Sequence, residues 1–347
     1  MHFAFRLQMA AAFTVLLSAQ AALAQNAPIL PLNPKPAHIA VKSLSYKTLG
    51  KVGSRDSQSQ NMTATLHSAS PAVVPGIPSP GFYPGDLNDY YGGAVVVAAK
   101  QHPIYVDAAP ATWGDVPAFL SDYSKSNMIH IVDQYTGSDE NNRYRVGSQF
   151  AAPHYPLPSN HTFTIDDILT LVHAGASVAG NGYGHMYHVF LPPGADMCSG
   201  PAGTAPCYSP DDSANWVFCA FHGSVDFDDA VGHVLFSVEP FQNVLGCSVA
   251  PTGTANNQLL DSTDSTLSHE VTETITDPDG DAWWVQDGTA LFGAEIADEC
   301  TRAAVYPDYN VYGDYGIVRL NGHPYTIQPE YSNAVHGCTY RPTGERE

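Results

Sequence analysis

Charge is what this sequence has little of: Asp, Glu, Lys and Arg make up only 14% of its 347 residues. Cations are the scarcer kind, with 14 Lys and Arg against 34 Asp and Glu and a formal net charge of −20. Such a surface repels a phosphate backbone, which excludes nucleic acid as a partner. After the N-terminal segment no apolar run approaches the length of a membrane span. No internal repeat is present. No G-x-S-x-G elbow positions a serine nucleophile. No two cysteines stand in C-x-x-C spacing, which removes thioredoxin-type and zinc-ribbon chemistry.

Hydrophobic residues nevertheless reach 44%, enough for a sizeable core. Arg6, the apolar stretch Met9 to Leu23 and the small-residue site Ala22-Leu23-Ala24 read as a signal peptide over 1–24. No Cys follows the cleavage point, so neither a lipid anchor nor a stable membrane anchor is expected, and the location is secreted or periplasmic. Cys198, Cys207, Cys219, Cys247, Cys300 and Cys338 fit an oxidising compartment and up to three disulfides, with the pairing left open. Cys198 and Cys207 should pin the Gly/Pro/Ser-rich loop between them. Residues 25–80 are rich in Pro, Ser, Ala and Gln and read as a flexible leader with at most a short strand. Within that leader Asn61-Met62-Thr63, and further on Asn160-His161-Thr162, are glycosylation sequons that matter only in a eukaryotic secretory route. Residues 81–347 read as a single domain.

Strands are expected at Ala94–Ala98, Pro103–Val106, Met128–Gln134, Arg143–Val146, Met186–Leu191, Trp216–His222 and His233–Val238. Helices are expected at Val116–Tyr123, capped by Asp115, and from Thr164 onward, burying Ile168, Leu169, Leu171 and Val172. The strongest helix signal spans 257–276, with Leu267, Val271 and Ile275 on one stripe and Asp277-Pro278-Asp279-Gly280 as its stop. The whole reads as α+β with a mixed sheet, stabilised by disulfides.

That long helix carries Ser268-His269-Glu270-Val271-Thr272-Glu273. His269 and Glu273 are four apart, one turn from each other on a single face, as two ligands of one metal must be. The zinc-protease pattern H-E-x-x-H works this way, with the Glu after the first His as general base. Here Glu273 replaces the second His, and a carboxylate oxygen is an acceptable zinc ligand. Glu295 follows at a distance suited to a third ligand on a second helix, as in thermolysin-type enzymes. Asp298 would support His269 from behind. His222 is a further candidate to approach the site, as ligand or hydrogen-bond donor. Glu270 would then act as general base on metal-activated water. The plain alternative is that His269 and Glu273 lie on a solvated helix face.

The block from Ser268 to Pro278, the triplet Ala282-Trp283-Trp284 and the run Glu295-Ile296-Ala297-Asp298-Glu299-Cys300 together resemble the EXORDIUM (phosphate-induced protein) family and its bacterial relatives. Tyr91-Gly92-Gly93 and Cys219-Ala220-Phe221-His222-Gly223-Ser224 resemble two further blocks of that family more loosely. The resemblance covers roughly 90–340. It implies a secreted protein linked to cell-wall-associated growth control, and it makes His269, Glu270, Glu273, Glu295 and Asp298 a shared cluster without fixing an activity.

Other residues carry lesser readings. Val234 to Val238, after His233, would offer a sheet edge to substrate backbone, as in zincins. His185 and His188 are too awkwardly placed on a strand to ligate together. Asp277, Asp279 and Asp281 invite calcium, but Gly280 falls fourth where an EF-hand has it sixth. Trp283 and Trp284 either stack on sugars or close the core, the latter being preferred. Cys300 paired to Cys338 or Cys247 would hold the third-ligand segment. Two functions follow. One is a secreted zinc hydrolase, peptidase-like, acting on a peptide or cell-wall-associated substrate. The other is a non-catalytic extracellular or cell-wall-associated binding module with a structural metal or polar cluster. An open site favours the first, and a closed one with His222 or Asp298 as a further ligand favours the second.

Overall fold

The computed structural model describes residues 27–32, 41–50, 83, 85–89, 91–153, 155, 162–198, 207–211, 218–242, 247–249, 257–286, 292–301 and 316–342. The expected signal segment 1–24, Asn61 and Asn160 lie outside them. Seven strands form the central sheet: β1 (Val41–Gly50), β2 (Ala99–Val106), β3 (Tyr144–Val146), β4 (Phe150–Ala152), β5 (His185–Phe190), β6 (Phe218–Phe227) and β7 (His233–Glu239). Their order in space is β1-β6-β7-β5-β2, with β3 and β4 both paired to the outer edge of β2. The β1, β6 and β7 run is antiparallel, whereas β7, β5 and β2 run parallel, so the sheet is mixed.

Strand alternation sends side chains to two separate cores. Val234, Phe236 and Val238 of β7 meet Ile168, Leu171 and Val172 of a helix on one face. Leu235, Met186 and Phe190 meet Leu267, Val271 and Ile275 of a longer helix on the other. Four helices matter here: α1 (Val116–Ser124), α2 (Ile165–Ala179), α3 (Gln258–Thr276) and the single turn α4 (Asp298–Thr301). Asp115 caps α1 by accepting from the Ala118 amide. Thr164 and Asp167 form the capping box of α2. Asn257 caps α3 by accepting from the Leu260 amide at 3.0 Å.

Helix α3 is buried on every side from Asp261 to Thr276, although most of those residues are polar. Its hydroxyls are absorbed locally. Ser262, Thr263, Thr272, Thr274 and Thr276 donate to carbonyls one turn back. Asp261 and Ser265 accept the backbone amides of Thr326 and Gln328. A polar helix is thereby held in the interior, with its acidic and imidazole side chains pointed into protein rather than water.

Several expectations change. Met128–Gln134 is not a strand but a 3-10 segment, Met128–Val132, followed by a helical turn, Asp133–Thr136. Met128, Ile129, Ile131 and Val132 are buried all the same, and a short apolar run looks alike in either conformation. Ala94–Ala98 is irregular: Val96 is buried, but its amide bonds the Ile275 carbonyl at the end of α3 instead of a strand. Within the region read as a flexible leader lies the ten-residue strand β1, longer than the short strand expected there, and Leu30 is buried in the core. Strand β7 is paired on both sides, to β6 and to β5, so its edge is not open to substrate. Glu295 precedes α4 in a turn, and no second helix carries it. The disulfides are Cys198–Cys207, Cys219–Cys247 and Cys300–Cys338. No helix among the described residues is long and apolar enough to cross a membrane.

Candidate metal centre

The site lies between α3, β6 and the turn that leads into α4. Strand β6 pairs His222 with Ser237 of β7, on the sheet face that α3 covers. The 3.6-residue period of α3 aims His269, Glu270 and Glu273 into the same layer. None of His222, His269, Glu270, Glu273, Glu295 and Asp298 is more than 4% exposed. The solvated-face alternative is therefore overturned.

Among the described residues two groups of three donors come mutually close: His222, Glu270 and Glu273, and His269, Glu273 and Asp298. In the first, His222 Nδ1 lies 3.3 Å from Glu270 Oε2 and 3.4 Å from Glu273 Oε2. In the second, His269 Nε2 lies 3.0 Å from Glu273 Oε1 and 3.9 Å from Asp298 Oδ1. The Asp298 amide also donates to Glu273 Oε1 at 3.1 Å. Glu295 approaches His222. Its Oε1 is 3.7 Å from His222 Nε2, the ring nitrogen opposite the donor group. Asp298 lies next to His269 and Glu273, and Glu295 next to His222.

Electrostatics follow from this crowding. Burial opposes a charged imidazole at His269, but the Glu273, Glu270 and Asp298 carboxylates outweigh it and raise its pKa to about 10. His222 is likewise held well above its ordinary value: burial lowers it, and Glu295, Glu270 and Glu273 raise it further. Burial lifts Glu270 to about 7, against the pull of both imidazoles. Glu273 stays well below the usual carboxylate range, because the two imidazoles on its two oxygens overcome its burial. Protons thus stand where positive charge is needed, and a cation would displace them.

Sequence reasoning missed three supports. Gln328 Oε1 lies 3.2 Å from His269 Nδ1, while its amide nitrogen donates to the Ala297 carbonyl. This orientation gives His269 an Nδ1–H and leaves Nε2 to face Glu273. Ser237 donates to Glu239 Oε1 at 2.7 Å and accepts from His188 Nδ1 at 2.8 Å. Glu239 is fully buried, and burial together with the Glu270 charge pushes its pKa well up. One signal for it was present: Leu235, Ser237 and Glu239 share a face, and two of the three are polar in an otherwise apolar strand. Gln328 had no such signal.

The remaining candidates have other employment. Asp277 Oδ1 accepts from the Ala282 amide at 2.6 Å, closing the turn after α3. Asp279 accepts from Tyr183, and its Oδ1 lies 3.5 Å from His233. These two aspartates serve the turn and its neighbours. Trp284 is buried and Trp283 packs edge-on against Tyr135, so the pair closes the core. His185 stacks on His102, whereas His188 points to Ser237 on the opposite face, so the two do not ligate together. Cys300–Cys338 ties α4, and with it Asp298, to the C-terminal hairpin. Comparison with known proteins adds no relative: no family model, no curated protein and no solved structure matches this chain.

Proposed function

We propose that the chain is an extracytoplasmic metal-dependent hydrolase, with zinc as the ion and a peptide or cell-wall-associated substrate. One observation carries the reading: His269 and Glu273, one turn apart on a fixed helix, share a donor group with Asp298, and Glu270 adjoins them. An imidazole and carboxylates in that number are an acceptable zinc set. A bound ion supplies Lewis acidity and lowers the pKa of water. Glu270, next to the ligand His269, is the carboxylate that would take the proton. Gln328 orients His269, and Glu273 is fixed by the Asp298 amide. Secretion is supported by the N-terminal segment and three disulfides. The EXORDIUM-like motifs over 268–300 are what point toward the cell wall.

A second reading, a non-catalytic extracellular module with a structural ion, is favoured by the burial of all six side chains. The two separate in one experiment. Metal content by elemental analysis should show stoichiometric zinc in the wild type and loss in Glu273→Ala. Glu270→Gln should retain the ion beside His269 yet lose hydrolysis of peptide or ester substrates by about 100-fold or more. Wild type that holds zinc and hydrolyses nothing in a broad screen favours the structural module. Absence of metal after purification without chelators rejects the hydrolase and the structural ion, and leaves a binding module whose cluster is a polar core.

A further inference from the structure

We infer that the centre holds two divalent cations bridged by the Glu273 carboxylate, an inference that rests on the metal reading above. The two donor groups share Glu273 and nothing else. Its oxygens diverge: Oε2 faces His222 Nδ1 at 3.4 Å, and Oε1 faces His269 Nε2 at 3.0 Å. No group of mutually close donors among the described residues contains both imidazoles. One ion therefore takes His222, Glu270 and Glu273, which makes Glu270 a ligand in place of the base of the single-ion reading, and the other takes His269, Glu273 and Asp298.

Spacing agrees with this division. Ligands held at about 2.1 Å by a tetrahedral ion stand about 3.4 Å apart. The His222 contacts to Glu270 and Glu273, at 3.3 and 3.4 Å, match that figure. The His269 contacts, at 3.0 and 3.9 Å, bracket it.

Charge agrees as well. Four carboxylates, Glu270, Glu273, Glu295 and Asp298, surround two imidazoles, all at most 4% exposed. With the imidazoles neutral as ligands, one dication offsets half of that charge and two offset all of it. An unpaired buried charge is among the costliest features a fold can carry. An independent mark lies on Glu270: its residue is fully buried, and its Oε1 has no hydrogen-bond partner. Buried polar atoms are nearly always satisfied, and an ion beside this carboxylate would engage it. Two ions sharing a carboxylate, about 3.5–4 Å apart, form the clamp used by hydrolases that stabilise both attacking and leaving oxygens.

The test is a titration of the chelator-treated full chain with Mn2+, read by bound-metal stoichiometry and electron paramagnetic resonance. Two ions per chain, with an exchange-coupled signal in place of the isolated six-line spectrum, are expected. His222→Gln and Glu270→Gln should each bind one ion and restore the six-line spectrum, with folding checked by circular dichroism. Glu273→Gln should lose the coupling in either case. One ion per wild-type chain overturns the bridged pair and leaves the metal reading standing. No bound ion removes both. Two ions retained in both His222→Gln and Glu270→Gln overturns the assignment of ligands.

Discussion

His188 shows how a single side chain ties this fold to pH. It is buried between β7 and β2, donates from Nδ1 to Ser237, and has a pKa lowered by burial and then by His102 to about 3. The unfolded chain takes up this proton near pH 6.5, and the folded chain only near 3. Between those values the unfolded state binds more protons, so stability falls as pH falls, and above about 6.5 the effect vanishes. From pH 7.5 to 5.5 the wild type should lose roughly 1.4 kcal/mol through this residue. Urea unfolding of wild type and His188→Gln at both pH values checks it. The variant should be weaker throughout but lose less on acidification, and equal losses would reject the assignment. Residues like this were hidden in the sequence because a strand histidine looks the same whether it is wet or buried. His269 and Glu273 were legible because helical spacing alone places them together. Asp298 and Glu295 were legible as a pair, but that Glu295 precedes the single turn α4 instead of riding a second helix was not.

Elements were readable where local chemistry and burial agree. The caps at Asp115, Thr164 and Asn257 each mark a true helix start, because an unmet amide needs a nearby oxygen whatever surrounds it. Asn257 is the most consequential, since α3 carries His269, Glu270 and Glu273, half of the centre. Asn257→Ala should cost about 1 kcal/mol in urea unfolding, and Asn257→Asp, which keeps the acceptor and suits the helix dipole, much less. Equal losses in the two would show that the cap oxygen is not what matters. Elements failed where tertiary context decides. Met128 to Val132 is apolar enough for a strand but lies against α3 as a 3-10 turn. Strand β1 was not legible because Val41, Leu44 and Leu49 do not alternate along it, and its hydrogen bonds come from distant β6.

At the scale of the whole molecule, a chain of net charge −20 buries acidic groups that most proteins expose. Glu239, Glu270, Glu273, Glu295, Asp298 and Glu330 all lie in the layer under and beside α3, where burial forces Glu239 and Glu330 far above their ordinary pKa. The fold therefore holds a large electrostatic debt in one place, and any cation bound there binds the folded state alone. By mass action, free ion at a hundred times its dissociation constant adds about 2.7 kcal/mol of stability per site. For a chain of this size that is roughly 4 °C in Tm per site. Calorimetry with saturating Zn2+ and with excess chelator should show this gap in wild type at pH 7.5. Glu273→Ala, which removes the residue common to both donor groups, should melt at one temperature in both conditions. Mg2+ in place of Zn2+ should give a smaller gap, because it prefers oxygen ligands and sheds its water reluctantly, whereas each donor group here contains an imidazole. A wild type indifferent to zinc and chelator alike would mean that protons on His222, His269 and Glu270 suffice to balance the layer, and that the cluster is a polar core rather than a metal centre.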